Sequence, residues 1–144
     1  MKYLELGLDD AVWLKRQERY YVDFKENLMD KKRLPLDFCD FYLREEMHDH
    51  DLINIEIKRH LTKREKLFDL YTVWKSNDQI YALLFEKVRK LEVNFSPFGN
   101  LPDFIMGEFL AISDSILSCE MILFSDSRFY VEYSRLKYKP MWRL

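Results

Sequence analysis

The chain has 144 residues, of which 48% are hydrophobic, 33% charged and 16% aromatic, with only 3 Gly and a formal net charge of -2. That length suits a single domain, residues 1–144, burying roughly two-thirds of its unfolded surface, and the composition excludes a disordered or low-complexity chain. The slight acidity points away from nucleic acid as the partner, because dedicated nucleic-acid binders are usually clearly basic.

Cys39 and Cys119 are too few for a disulfide scaffold and lie among apolar residues, which predicts two buried free thiols in a reducing compartment. The first residues lack an uninterrupted apolar run and no window approaches the length of a membrane span, so the expectation is a cytoplasmic protein, neither exported nor membrane-inserted. Charge is unevenly placed. Residues 37–56 hold Asp37, Asp40, Glu45, Glu46, Asp49, Asp51 and Glu56 against Arg44 alone, whereas residues 133–144 hold Arg135, Lys137, Lys139 and Arg143 with no acid.

Taken in order, Asp9 or Asp10 can cap a helix running to about residue 30, with Val12, Trp13, Tyr20, Phe24 and Leu28 on its apolar stripe. Lys31, Lys32 and Arg33 suit its C-terminal end, and Pro35 can open a second helix through about residue 46 that buries Phe38, Phe41 and Tyr42. Residues 1–46 therefore read as helical. From residue 47 the period changes to two. Ile53, Ile55 and Ile57 alternate with polar residues, then come Phe68, Leu70, Thr72 and Trp74, a turn at 76–78, and Ile80, Ala82 and Leu84. The apolar phase changes from even numbers to odd at Leu91 and Val93, which predicts a bulge or break near residues 86–90.

Residues 96–103 hold both Pro97 and Pro102 with Gly99 and read as a loop, followed by a strand near 105–112. Residues 116–138 read as a hairpin. Leu117, Cys119, Met121, Leu123, Phe129, Val131 and Tyr133 are all odd-numbered, so a turn at 125–127 with 123 opposite 129 puts them on one face. The expected fold is α+β: two N-terminal helices packed on an antiparallel sheet of about five to six strands, with residues 47–144 forming the β part.

Three stretches carry chemistry worth weighing. His48 and His50, with Asp49 and Asp51, crowd the entrance to the first strand and would share a face if extended, as metal-binding histidine pairs do. The plainer reading makes the aspartates turn caps and a histidine a backbone hydrogen-bonder. Glu120 and Glu132 fall opposite each other in the 123/129 register, and buried facing carboxylates can serve as general acid and base. The run from Arg135 to Arg143 interleaves cations with Tyr138, Trp142 and Pro140. It suits a guarded edge strand better than a single-stranded nucleic-acid surface. No Gly-rich phosphate loop or nucleophile-elbow signature is present, and nothing calls for a cofactor.

His48-Asp49 leading into Ile53, Ile55 and Ile57, together with Glu120-Met121-Ile122-Leu123-Phe124-Ser125-Asp126-Ser127 turning into the last strand, resembles small bacterial domains of unknown function. These have a helical N-terminus and a β-rich body, and some relatives are presumed toxin-immunity proteins. The resemblance spans about residues 47–138 and implies binding rather than catalysis. The expected function is thus a non-enzymatic protein-binding module. Asp37, Asp40, Glu45, Glu46, Asp49 and Asp51 would face a partner with a basic surface. The alternative is a metal-dependent enzyme using His48, His50 and the acids Asp49 and Asp51. A basic sheet edge also leaves homodimerisation open.

Overall fold

In the computed structural model, Asp9 opens the first helix as its spacing predicts, its Oδ1 accepting the N–H of Val12 at 3.0 Å. Helix α1 (Asp10–Asp23) passes into a π-helical turn, Phe24–Met29, where the Asp30 N–H reaches back to the Lys25 carbonyl at 2.8 Å. The inner stripe is shorter than the periodicity suggests. Tyr20, Phe24 and Leu28 are buried, whereas Val12 is exposed along with Leu14 and Val22.

The helix ends in a Schellman motif. The Lys32 N–H meets the Met29 carbonyl at 3.0 Å, the Arg33 N–H meets the Leu28 carbonyl at 2.8 Å, and Lys32 takes the left-handed position, φ 54°, that usually belongs to Gly. Helix α2 (Leu36–Glu45) follows, with Phe38, Phe41 and Tyr42 buried. The structure describes all residues except 6, 46, 48, 60–66, 96–103, 124–126 and 144, and leaves aside the side chains of Glu45, Phe104 and Ile105. The expected loop at 96–103 and most of the expected turn at 125–127 lie outside the described residues.

Among the described residues, eight strands form two antiparallel sheets, in the orders β1-β2-β3-β8 and β4-β7-β6-β5. The first sheet comprises β1 (Asp51–Arg59), β2 (Phe68–Lys75), β3 (Gln79–Val88) and β8 (Arg135–Arg143). The second comprises β4 (Lys90–Asn94), β5 (Phe104–Ala111), β6 (Leu117–Leu123) and β7 (Ser127–Tyr133). This corrects the expected single sheet of five to six strands.

The reason is a shared bend. Only Arg89 separates β3 from β4, and only Ser134 separates β7 from β8. β3 pairs with β8 while β4 pairs with β7, so two long strands turn together from one sheet into the other. The Arg89 N–H donates to the Glu132 carbonyl and the Ser134 N–H to the Glu86 carbonyl, each at 3.0 Å, holding the corner. Lys87 beside it has φ 51° and donates its N–H to Asp69 Oδ1 at 3.0 Å. The break lies within residues 86–90, as expected, although the even-numbered face on which that expectation rested is not the one turned to the core.

Two registers differ from expectation. Trp74 pairs with Tyr81 and Thr72 with Leu83, so partners sum to an odd number and parity reverses between β2 and β3. Tyr81, Leu83 and Phe85 belong to the core cluster, whereas Ile80 and Leu84 are half-buried on the other face, which the buried Ala82 shares, contrary to the even-numbered reading. In the hairpin Leu123 pairs with Ser127 and Met121 with Phe129, two residues short of the expected register. A slip of two keeps every side chain on its face, so the odd-numbered residues are all buried as predicted while the cross-strand partners change.

The core lies between the sheets and under the helices. Phe38 packs on Phe109 of one sheet at 5.1 Å between ring centres and on Tyr138 of the other at 5.8 Å. Phe41 meets Tyr81 at 4.7 Å and Tyr138 at 5.2 Å. Helix α2 thereby joins both layers. Among the described residues, no helix is long and apolar enough to cross a membrane.

Candidate functional site

His50, just before β1, turns inward. It is buried, its Nδ1 lies 2.8 Å from the Tyr81 hydroxyl, and its ring packs 6.1 Å from Phe41. Met47 and Asp49 both have positive φ, 53° and 60°, and the His50 N–H donates to the Met47 carbonyl at 3.1 Å, which makes this a tight turn. Asp49 is exposed and Asp51 half-buried opposite Lys75. His48, like Glu46 and His60, lies outside the described residues. Among the described residues no three His, Cys, Asp or Glu side chains converge on a metal position.

The predicted acidic region is divided among a helix, a turn and a strand. The Asp37 Oδ1 accepts the Phe38 N–H at 2.9 Å at the start of α2, and Asp40 lies on the exposed side of the same helix. Glu56 sits in β1 opposite Tyr71. The Glu45 side chain is outside the description.

Glu120 does not face Glu132. The hairpin register sets Glu120 opposite Tyr130 and Glu132 opposite Ser118, which corrects the expected carboxylate pair. On its other side Glu120 faces Glu108 of β5, a residue that sequence reasoning passed over. Glu108 is 1% exposed and accepts the backbone N–H groups of Lys2, at 2.9 Å, of Tyr3, at 2.7 Å, and of Leu4. The Met1 amino group lies 3.1 Å from Glu120 Oε1. The N-terminal segment thus straps this face of the sheet, and three consecutive amides donate to one buried carboxyl group. Its only signal in the sequence is a single Glu inside the apolar run at 104–112.

Glu132 instead serves the corner. Its Oε1 takes the Arg89 Nε at 2.7 Å and its Oε2 takes the Tyr130 hydroxyl. The Tyr130 hydrogen bond is the main force holding this carboxyl below its ordinary pKa; desolvation opposes it and Arg89 assists. Both thiols are buried, as the sequence suggests. Burial, with the Asp40 and Asp37 carboxylates adding to it, pushes the Cys39 thiol up to about 11, and burial holds Cys119 well above its ordinary value.

Among the described residues, five cations line a groove of about 810 Å³ between residues 32–37 and β8. Lys32 and Arg33 line one wall, Arg135, Lys137 and Lys139 the other, with Asp37 the one carboxylate in the lining. Tyr71, Ala82 and Leu84 form its floor on the outer face of the first sheet. β8 is the last strand of that sheet, as the run of cations and Pro140 suggests. A second depression, about 650 Å³ beside β4, mixes Lys90 and Arg128 with Glu92 and Glu120 and has no dominant sign.

No family model matches this chain, and neither the curated proteins nor the solved structures compared with it include a match.

Proposed function

We propose that the chain is a non-enzymatic protein-binding module, of the kind implied by its resemblance to bacterial proteins associated with toxin immunity. The observation that supports this is the engagement of reactive side chains among the described residues. His50 is held by Tyr81, Glu108 by three amides, Glu132 by Arg89 and Tyr130, and both thiols are buried. Groups so engaged are poorly placed to bind a metal or to exchange protons with a substrate. Solvent meets a basic groove and the exposed side chains of Met141 and Trp142, a composition typical of contact surfaces. A cytoplasmic, bacterial setting belongs to the same proposal.

The test joins two measurements. Chain isolated from its source cells is expected to retain a protein partner in fixed stoichiometry through washing with a chelator, its mass distinguishing a different protein from a second copy. Elemental analysis of untagged protein and of the His48→Ala/His50→Ala variant covers the alternative. About one metal per chain, lost in the variant together with partner binding, would overturn the proposal in favour of a metal-dependent enzyme.

A further inference from the structure

We infer, building on that protein-binding reading, that the groove beside β8 recognises an extended acidic segment of a partner protein, and that Glu86 is the resident counter-ion which the segment displaces. Arg135, Lys137 and Lys139 alternate outward along one strand, so their Cα atoms repeat every ~6.7 Å. Carboxylates on one face of an extended peptide repeat at the same interval. Lys32 and Arg33 line the same groove from the turn before α2, Arg33 with its Nη1 donating to the Ser113 carbonyl at 2.6 Å, so an acidic segment in the groove meets Lys32 as well as the cations of β8.

Beyond Lys139 the pairing of β8 with β3 shifts: Tyr81 pairs with Pro140, but Ile80 pairs with Trp142. The shift leaves both Met141, whose Sδ lies 3.8 Å from the Tyr71 hydroxyl, and Trp142 about half exposed at the end of the cationic row. Trp, Tyr and Arg in one place are the side chains that dominate binding energy at protein interfaces.

Glu86 sits among the cations on the neighbouring strand. Its Oε1 lies 3.5 Å from Lys137 Nζ and 3.8 Å from Arg135 Nε, close enough for ion pairing and too far for a good hydrogen bond. That atom is buried and has no hydrogen-bond partner among the described residues. A ligand carboxylate docked on Arg135 in the bidentate geometry supplies the hydrogen bonds that Glu86 does not.

Lys32 holds a left-handed position where Gly is the stable choice, as Met47, Asp49 and Lys87 do elsewhere, and the Schellman bonds fix it there with its side chain in the groove lining. A protein segment fits better than nucleic acid because the floor of Tyr71, Ala82 and Leu84, with Asp37 in the lining and Glu86 beside the cations, suits apolar side chains between acidic ones better than a uniform polyanion.

The test is fluorescence anisotropy with a labelled peptide of alternating Glu and Leu, the same peptide with Gln for Glu, and oligothymidylate. Expected are binding of the acidic peptide alone, about fivefold tightening in Glu86→Gln, and weakening by more than about tenfold in Arg135→Glu/Lys137→Glu. Lys32→Gly, on the opposite wall, weakens it as well, and each variant's melting temperature verifies folding. Absence of peptide binding, indifference to these substitutions, or tighter binding of oligothymidylate than of peptide would overturn the inference. The protein-binding reading fails separately, when the chain retains no partner from its source cells. A partner held equally well by wild type and by Arg135→Glu/Lys137→Glu upholds that reading and removes the groove from it.

Discussion

The hydroxyls of Tyr20 and Tyr42 meet at 2.8 Å and together cap the open edge of β5. The Phe109 N–H donates to the Tyr20 hydroxyl at 2.9 Å, and the Tyr42 hydroxyl donates to the Gly107 carbonyl at 3.1 Å. Since Tyr42 spends its proton on Gly107, Tyr20 donates to Tyr42, and every donor in the chain is used once. Two helices thereby replace the backbone partners that a neighbouring strand would provide. Tyr20→Phe and Tyr42→Phe are each expected to cost about 1–3 kcal/mol in urea denaturation, since each leaves a buried backbone group unpaired. The double variant should cost less than the sum, because both break one network. Faster amide exchange at Phe109 in Tyr20→Phe distinguishes the lost cap from general loosening.

Glu108 should behave as a structural anion. Glu108→Ala leaves the N–H groups of Lys2, Tyr3 and Leu4 without their acceptor, and a loss of about 2–3 kcal/mol is expected, with accelerated exchange at those three amides. Glu108→Gln keeps one acceptor oxygen and should lose less. Equal stability of wild type and Glu108→Ala would show that the N-terminal strap contributes nothing.

The acid limb of stability should report on Glu132. Its carboxyl is held below its ordinary value, foremost by the Tyr130 hydroxyl. A lowered folded-state pKa contributes stability that is present above the unfolded value and is lost as pH falls through the folded one. Tyr130→Phe removes the leading cause, so NMR titration should place the Glu132 carboxyl higher and the acid-induced loss of stability at this site should shrink.

At the alkaline end the sign reverses. Cys39, pushed up to about 11, and Cys119, Tyr20 and Tyr42, each raised mainly by burial, favour their protonated forms in the folded state. Their contribution is complete below the unfolded values, beginning near 9 for the thiols, and is lost as pH rises through the folded ones. Native protein at pH ~8 should therefore react with Ellman's reagent far more slowly than small-molecule thiols do, and both thiols should react promptly in denaturant. Rapid labelling of either cysteine in folded protein would contradict their burial.

Lys32→Gly should separate stability from binding. Relief of the left-handed backbone is expected to raise stability by about 0.5–1 kcal/mol, read by urea denaturation, while removing one wall of the groove. A variant that is both more stable and weaker in peptide binding has the profile of a residue retained for function at the expense of stability. Loss of stability would mean that Lys32 makes compensating contacts.

Local rules explain what could be read directly. The Asp9 cap, the odd-numbered face of the hairpin, the break near Arg89 and the position of β8 at a sheet edge follow from capping, two-residue alternation and edge chemistry, all carried by neighbours in the chain. The His50 ring is buried against the Tyr81 hydroxyl, whereas the plainer of its two readings has a histidine bonded to backbone, and Tyr81 as its partner has no local signal.

What the chain by itself determined, then, is which faces are apolar and where elements begin and end. The tertiary structure decided the rest. A slip of two residues preserves every face, so periodicity cannot choose between Tyr130 and Glu132 as the partner of Glu120. A break near Arg89 suits a bulge within one sheet as well as a bend between two, and only the pairing of β3 with β8 and of β4 with β7 makes one expected sheet into two. Glu108 finds its amides in the first residues of the chain, and Lys32 and Arg33 find Arg135 and Lys137 across the molecule. Such pairings join residues with no shared local pattern, and only the packing of helices and sheets around a common core brings them together.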